Sequence, residues 1–517
     1  MAYHENTLKR GVEAGLLNDD ESLEDKAIKA TWFSLRNKKW TYRGEGNANI
    51  VIALPQERKV IRLRKSNGVK LYSPGESATP SLEVKYCSEV MMPLLGACYV
   101  IPPTIVTLDS LEMLELETQL AHQRPVSRLH KVIQVSEAAL YMDFTLLPVH
   151  LSNDSSRSQR FSTYCVEIKP KQGWVPKADR QLHKCRFCLQ QYLKVMTGKV
   201  ESLSQYCPLD LFSGNPWRMK KALCSLLETP QNNLKIFQDG ALIYGQGAVG
   251  SILPVLKDWL SGPTNINDSK KLLDKFCCVI MEALLRDMTL RTSSHEASRK
   301  RTPNCDRFIE GGNVCHVGEV KESLNTMYIE PSLSGEDDSN DEFVEISVER
   351  VPIDLLRTAK EVAIEALKIE KEYPCNWGDE DELPKNCVLE RVLSIQKLDV
   401  DGADSVYKAY HEESVMGTPS NFSYIPSLMD PTCELSSIHR YLLATTAKDC
   451  SIMLTFQEDC DSRCKPTVKR HVLQCPDGQR FIFNVGVIDL EPKPMSCIEK
   501  HARRDCDVYN AYVEWHL

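Results

Sequence analysis

What this 517-residue sequence lacks narrows its class before any motif does. It has no unbroken apolar span: the longest uncharged run, Val90 to Leu108, contains Pro93, Pro102 and Pro103, and proline interrupts a helix. The run reads as the end of a buried helix, a loop through Leu95-Gly96 and a core strand, so no membrane span is expected. A basic surplus is missing too. The net charge is −8, and Glu310–Arg350 alone holds 11 acidic and 2 basic residues. The rest of the chain is therefore near neutral, which argues against a general nucleic-acid binder and permits a focused anion pocket. The 20 cysteines form no small-domain disulfide framework and follow no secretory signal, so free buried thiols in a reducing compartment are expected. Cys185 and Cys188 have ligand-like spacing but no second pair nearby to complete a zinc site. No basic run reads as an import signal. The expected location is the cytosol, with the nucleus as the other option.

What is present begins with length, which predicts two or three domains. The most informative stretch is Glu167-Ile168-Lys169-Pro170-Lys171-Gln172-Gly173-Trp174-Val175-Pro176. It follows Phe161–Val166, an apolar, β-branched run that reads as a buried strand. If that strand continues through Lys171, both lysines point to one face. Two cations beside a carboxylate and a proline–glycine turn suit a polyanion; the same residues also read as a solvated edge strand ended by proline.

Upstream, Arg43-Gly44-Glu45-Gly46-Asn47-Ala48-Asn49 is a glycine turn between strand-like runs, and the following strand carries Arg62. Such a turn lets backbone N–H groups approach phosphate, although a Gly-x-Gly hairpin alone is an ordinary turn. Gln123-Arg124-Pro125 precedes the basic stretch Arg128 to Lys131. Ala138–Phe144, with Asp143, reads as a strand. Leu182–Val195 predicts a helix carrying Arg186 and Lys194, and Pro208–Gly214 a packing and capping block. Asn232 and Asn233 precede an apolar strand and suit phosphate or sugar groups, or an Asn-rich turn.

Residues 1–39 predict a polar extension with an amphipathic helix around Leu23–Leu35. Residues 292–350, densely charged and poor in apolar side chains, predict a mobile acidic insertion. Helices are expected at Pro352–Glu372 and Val388–Val400. Near the end, Lys448-Asp449 joins a helix to a strand, and Phe481–Ile488 runs into Asp489-Leu490-Glu491-Pro492-Lys493. Asp449 is placed like a kinase catalytic aspartate and Asp489 like a magnesium ligand. Either one alone would more often be a cap or turn residue.

The strings Arg43–Gly46, Glu167–Lys171, Pro230–Asn233, Ala447–Met453 and Ile488–Leu490, in this order, resemble the inositol-pentakisphosphate 2-kinase family. The resemblance runs over roughly residues 40–500, apart from the insertion. It implies an α+β fold of two lobes, distantly like protein kinases. Residues 40–150 would be an ATP-binding N-lobe, and 151–517 a catalytic C-lobe interrupted by 292–350. It implies transfer of the γ-phosphate of ATP, with Mg²⁺, to the 2-hydroxyl of inositol 1,3,4,5,6-pentakisphosphate, giving inositol hexakisphosphate. Asp449 would be the base, with Lys169 also catalytic, and Asp489 the metal ligand. Gly44, Glu45, Gly46, Asn47, Asn49, Arg62, Asp143 and Glu167 would serve the nucleotide. Arg124, Lys169, Lys171, Lys194, Asn232, Asn233 and Lys493 would serve the inositol phosphate. A monomer is expected.

The sequence departs from the family in places. The zinc-binding Cys-x-x-Cys of plant members has no counterpart in Ala409–Glu434, so that zinc is not expected. A helix position that holds histidine in one plant member is Gln190 here. After Pro494, Cys497 and His501 occupy the spacings of an arginine and a tyrosine, with Lys500, Arg503 and Arg504 nearby, and no contact is carried over. Two other readings stay open. One is a kinase for a different inositol phosphate. The other is a non-catalytic inositol-polyphosphate scaffold, which would need neither a base nor a metal ligand.

Overall fold

The computed structural model describes residues 30–46, 49–66, 79–133, 137–152, 161–248, 250–262, 266–289, 351–369, 382–415, 420–459 and 466–516. Asn47, the 292–350 insertion and residues 1–29 lie outside the described residues.

Period-two alternation builds the first of two sheets. Its strands are β1 (Thr31–Trp32), β2 (Thr41–Glu45), β3 (Asn49–Leu54), β4 (Lys59–Ser66), β5 (Thr104–Thr107), β6 (Val132–Ile133) and β7 (Glu137–Met142). They pair in the order β1-β5-β7-β4-β3-β2, with β6 against β4. In β4, Ile61, Leu63 and Lys65 are buried, so Arg62 and Arg64 project from the opposite face. The buried face packs, through Ile50, Ile52, Leu54 and Leu140, on Met113, Leu116 and Leu120 of the helix Ser110–Leu120.

Residues 30–39 do not form the end of an amphipathic helix. Thr31–Trp32 pairs in parallel with β5, and Leu35 is buried in the core of this sheet. The Glu112 carboxylate accepts hydrogen bonds from Ser34 Oγ at 2.6 Å and from the Leu35 N–H at 2.8 Å. Pairing and burial of the apolar residues override the local helical pattern. The uncharged run resolves into the helix Met92–Leu95, Gly96 at φ 104° and strand β5. Among the described residues no helix is long and apolar enough to cross a membrane.

The second sheet comprises β8 (Thr163–Ile168), β9 (Leu234–Gln238), β10 (Ala241–Gly245), β11 (Ser451–Glu458), β12 (Val472–Gln474) and β13 (Arg480–Ile488). The order is β10-β9-β8-β11-β13-β12, and every pair is antiparallel. Central β8 is apolar on both faces for a reason. Tyr164, Val166 and Ile168 join the helical core, where Trp259 stacks on Tyr164 at 5.1 Å. On the other face Cys165 packs with Phe144, Phe237 and Met453. Gly486 in β13 permits this layer, since a Cβ there would lie 2.2 Å from Phe144 Cε1. The helices Arg186–Met196, Ser269–Leu285, Ile353–Ile369, Val388–Gln396, Ser437–Asp449 and Cys497–His516 extend the helical core.

Strand direction decides where the site forms. Ile168 at the end of β8 registers with Leu234 at the start of β9 and with Ile452 in β11. Ser451 at the start of β11 registers with Ile488 at the end of β13. Four chain connections therefore meet at one edge of the sheet: those bearing Lys169–Lys171, Asn233, Asp449 and Asp489–Lys493.

Candidate active site

The two signature lysines reach this edge by a route other than strand alternation. β8 stops at Ile168, and Lys171 takes the left-handed conformation, at φ 58°. Pro170, which has no N–H to donate, helps end the ladder. Gln396, fully buried, holds the resulting loop. Its Nε2 donates to the Lys171 carbonyl at 2.9 Å and to the Ala447 carbonyl at 3.1 Å, while its Oε1 accepts from the Gly173 N–H at 2.8 Å. One amide thus ties the signature loop to the last turn of the helix that ends at Asp449. Gly173 must be glycine, because a Cβ there would lie 2.1 Å from Phe212 Cδ2.

Two carboxylate centres result. Asp449 Oδ2 lies 2.6 Å from Lys493 Nζ, and its Oδ1 lies 3.7 Å from Lys171 Nζ. Asp489, at φ 62°, places Oδ1 2.5 Å from Arg62 Nη2 and Oδ2 3.6 Å from Lys169 Nζ. Arg62 also pairs with Glu491 and stacks over the Tyr141 ring at 4.8 Å. It thereby carries a charge from the first sheet to the edge of the second. Ser451 Oγ is 2.9 Å from Glu167 Oε1 and 2.9 Å from Asp489 Oδ2, so its single proton serves one carboxylate at a time.

Burial alone would raise both aspartate pKa values. For Asp449, the charges of Lys493, Lys171 and Lys169 outweigh it and hold the carboxyl well below the usual range. For Asp489, Lys169, Arg62 and the hydrogen bonds from Arg62 and Ser451 do the same. Both are ionised at neutral pH, and each keeps about a quarter of its side chain exposed, at 25% and 24%. The arrangement presents Lys169, Lys171, Lys493 and Arg62 around two accessible carboxylates. Such a set can bind polyanionic phosphate, orient a hydroxyl and supply hard oxygen donors to a divalent cation.

Several expected residues sit elsewhere. Arg124 does not face this edge. It is buried, with Nε and Nη2 at 3.0 and 3.1 Å from the two oxygens of Glu45 and Nη2 donating to the Arg128 and Lys131 carbonyls. Glu45, expected to serve the nucleotide, has its carboxylate enclosed by this contact and by Lys65 Nζ at 2.5 Å. Burial is the main cause that pushes the Lys65 pKa down to about 8. Asp143 is buried and receives Arg43 Nη2 at 2.6 Å. Lys194 is buried, with Nζ 3.2 Å from Gln231 Oε1, next to the asparagine turn. Within that turn Asn233 is fully enclosed, neither amide atom has a hydrogen-bond partner, and its carbonyl accepts the Lys169 N–H at 2.9 Å. Gly44 (φ 150°) and Gly46 shape the β2–β3 hairpin, the Gly46 N–H donating to the Asn49 carbonyl at 3.0 Å.

Ser451, Glu491 and Gln396 join the site without having been singled out. The Asp-x-Glu spacing at 489–491 was a signal for Glu491, and a polar residue on the buried face of Val388–Gln396 was one for Gln396. Ser451 lies within the Ala447–Met453 string, which drew attention to Asp449 and gave the serine no role of its own.

Comparison with known proteins gives the family. A sequence profile described as inositol-pentakisphosphate 2-kinase matches residues 42–507. A Danio rerio inositol-pentakisphosphate 2-kinase is 29% identical over 520 residues, covering 92% of this chain and 93% of that protein. The protein of that name in Arabidopsis thaliana is 26% identical over 523 residues, again covering 92% and 93%. In Drosophila melanogaster it is 31% identical over 310 residues, 41% of this chain and 50% of the relative. With the profile spanning most of its length and the signature lysines meeting two carboxylate centres at one sheet edge, the chain belongs to the inositol-pentakisphosphate 2-kinase family.

Proposed function

We propose that this chain transfers the γ-phosphate of ATP to the 2-hydroxyl of inositol 1,3,4,5,6-pentakisphosphate, forming inositol hexakisphosphate. The observation that carries the reading is the meeting of Asp449 with Lys171 and Lys493, beside Asp489 with Lys169 and Arg62. A two-lobed kinase arrangement follows naturally, with nucleotide between the first sheet's glycine hairpin and the edge of the second. A five-phosphate substrate needs several cations at once, and lysine and arginine suit phosphate as point charge and fork.

In this reading Asp449 accepts a hydrogen bond from the substrate hydroxyl and aims its oxygen in line with the γ-phosphate. An ionised carboxylate of low basicity suits that role, since phosphoryl transfer with a loose transition state needs orientation more than early proton removal. Lys169, Lys171 and Lys493 neutralise developing charge. Asn233, whose enclosed amide has no hydrogen-bond partner within the protein, has the donor and acceptor that a phosphate or hydroxyl would need. Magnesium fits the donor set of Asp489, with Glu167 across Ser451, because the ion favours one or two carboxylates plus phosphate oxygens. When bound, it screens the phosphate charge.

The test is ATP-dependent turnover of inositol 1,3,4,5,6-pentakisphosphate by wild type and Asp449→Ala, with the product position assigned by NMR. A 2-phosphorylated product, formed at least about 10²-fold more slowly by the variant, is expected. Tight binding without turnover by wild type would instead favour a non-catalytic scaffold. Phosphorylation at another position would indicate a different inositol phosphate kinase.

A further inference from the structure

Arg62 of β4 is not alone in reaching from the first sheet to the second. Arg43 of β2 does the same at a place outside the two carboxylate centres. In the β2–β3 ladder Tyr42 registers with Ile52 and Gly44 with Val51, so Arg43 is the extra residue of a β-bulge. A bulge re-aims the side chain at its insertion. Here Arg43 Nη2 donates to Asp143 Oδ2 at 2.6 Å and to Thr145 Oγ1 at 3.4 Å. The guanidinium carbon lies 5.9 Å from the centre of the Phe237 ring in β9.

The receiving side belongs to the second sheet. Asp143 is enclosed, with 3% of its side chain exposed. Its Oδ1 accepts from the Thr145 N–H at 3.0 Å and from the Thr145 hydroxyl at 2.5 Å, which turns Oδ2 toward the arginine. Between these two residues, Phe144 packs with Cys165, Phe237 and Met453, and its carbonyl accepts a hydrogen bond from Thr455 Oγ1. The β9–β10 turn closes the cradle. Asp239 and Gly240 are both left-handed, at φ 49° and 86°, as a two-residue hairpin turn requires. A Cβ on Gly240 would lie 3.3 Å from Arg43 Nη2.

We propose that Arg43 is a positioning residue: its ion pair with Asp143 holds the β2–β3 hairpin at the height above the second sheet that a bound nucleotide requires. The inference rests on the nucleotide site proposed above. A charge-assisted hydrogen bond fixes distance and direction together, which an apolar contact with Phe237 would not. With 21% of the Arg43 side chain exposed, water competes for the pair, and the hairpin can lift while both sheets stay folded. Apparent nucleotide affinity then falls in proportion to the fraction of molecules in which the hairpin is held.

The experiment is calorimetric binding of the β,γ-imido analogue of ATP with Mg²⁺ to full-length wild type, Arg43→Met, Asp143→Asn and the double variant. Each variant breaks the same contact, so each should bind about tenfold more weakly than wild type, and the double variant no more weakly than the single ones. Hydrogen–deuterium exchange over residues 41–54 should rise in all three. Removing both charges should recover part of the melting temperature lost in Arg43→Met, where a buried carboxylate is stranded, without recovering affinity. Affinity that returns together with the melting temperature would reduce the pair to a structural one and overturn the proposal. Nucleotide binding at wild-type strength by Asp143→Asn would overturn it too, because freeing Arg43 without loss marks it as a direct phosphate ligand. Inositol 1,3,4,5,6-pentakisphosphate, added without nucleotide, should bind all four proteins within about twofold of one another. No binding of it by wild type would count against the proposed substrate, and the nucleotide measurements would still decide the role of Arg43.

Discussion

Gln396→Leu probes the joint between the signature loop and the Asp449 helix with little change in side-chain volume. The two carbonyls and one N–H around Gln396 fix the orientation of its amide. Leucine would leave the Lys171 carbonyl and the Gly173 N–H without that partner. The Ala447 carbonyl keeps a contact with Cys450 Sγ at 3.3 Å. Each buried group stripped of its partner costs about 1–3 kcal/mol, so the loop should open about 2–6 kcal/mol more readily. Hydrogen–deuterium exchange across residues 169–175 should accelerate accordingly, while strands β2–β4 exchange as before. A displacement of Lys171 or Asp449 by about 1 Å should lower turnover on the order of 10²-fold, with little effect on ATP affinity. Unchanged exchange in 169–175, together with kcat/KM within about twofold of wild type, would refute the role given to Gln396.

Other expectations follow from the same contacts. Arg124→Met should leave Glu45 paired with Lys65 alone and strip the Arg128 and Lys131 carbonyls of a donor, costing about 1–3 kcal/mol for each buried group left unpartnered, seen as a lower melting temperature. An unchanged melting temperature with a raised substrate KM would place Arg124 in the pocket instead. Gly173→Ala should force the Phe212 ring aside, an overpacking cost of about 1–3 kcal/mol, and adding Phe212→Leu should recover part of it in thermal unfolding. Asp449 and Asp489 have folded-state pKa values below their unfolded ones. Their stabilisation is therefore complete above about pH 4 and fades as pH falls further. Urea unfolding at falling pH should show Asp449→Asn to be less acid-sensitive than wild type, and a carboxyl carbon of Asp449 titrating above about pH 4 in NMR would contradict the assignment.

Local pattern revealed much of this in advance. The buried strand ahead of Glu167, the helix-to-strand turn at Asp449 and the strand ending at Asp489 lie where the sequence placed them, because apolar runs and their breakers are local signals. What escaped was set by distant pairing. Lys169 and Lys171 do not alternate on a strand, since β8 ends at Ile168 and Lys171 turns left-handed against Gln396. Arg124, expected to meet the inositol phosphate, is held instead by the Glu45 carboxylate 79 residues away. Thr31–Trp32 looks helical until β5 lies beside it. Partners tens to hundreds of residues away decide each of these, and no window of neighbours contains them.

The position of β8 has a consequence for how such chains fail. Its two neighbours are β9 and β11, and β11 begins only at Ser451. A chain cut short anywhere before that point would leave an apolar six-residue strand, Thr163–Ile168, as a bare sheet margin, able to recruit a strand from any neighbouring molecule. Late nonsense mutations should then yield inclusion bodies and proteolytic fragments, with no weakened enzyme to detect.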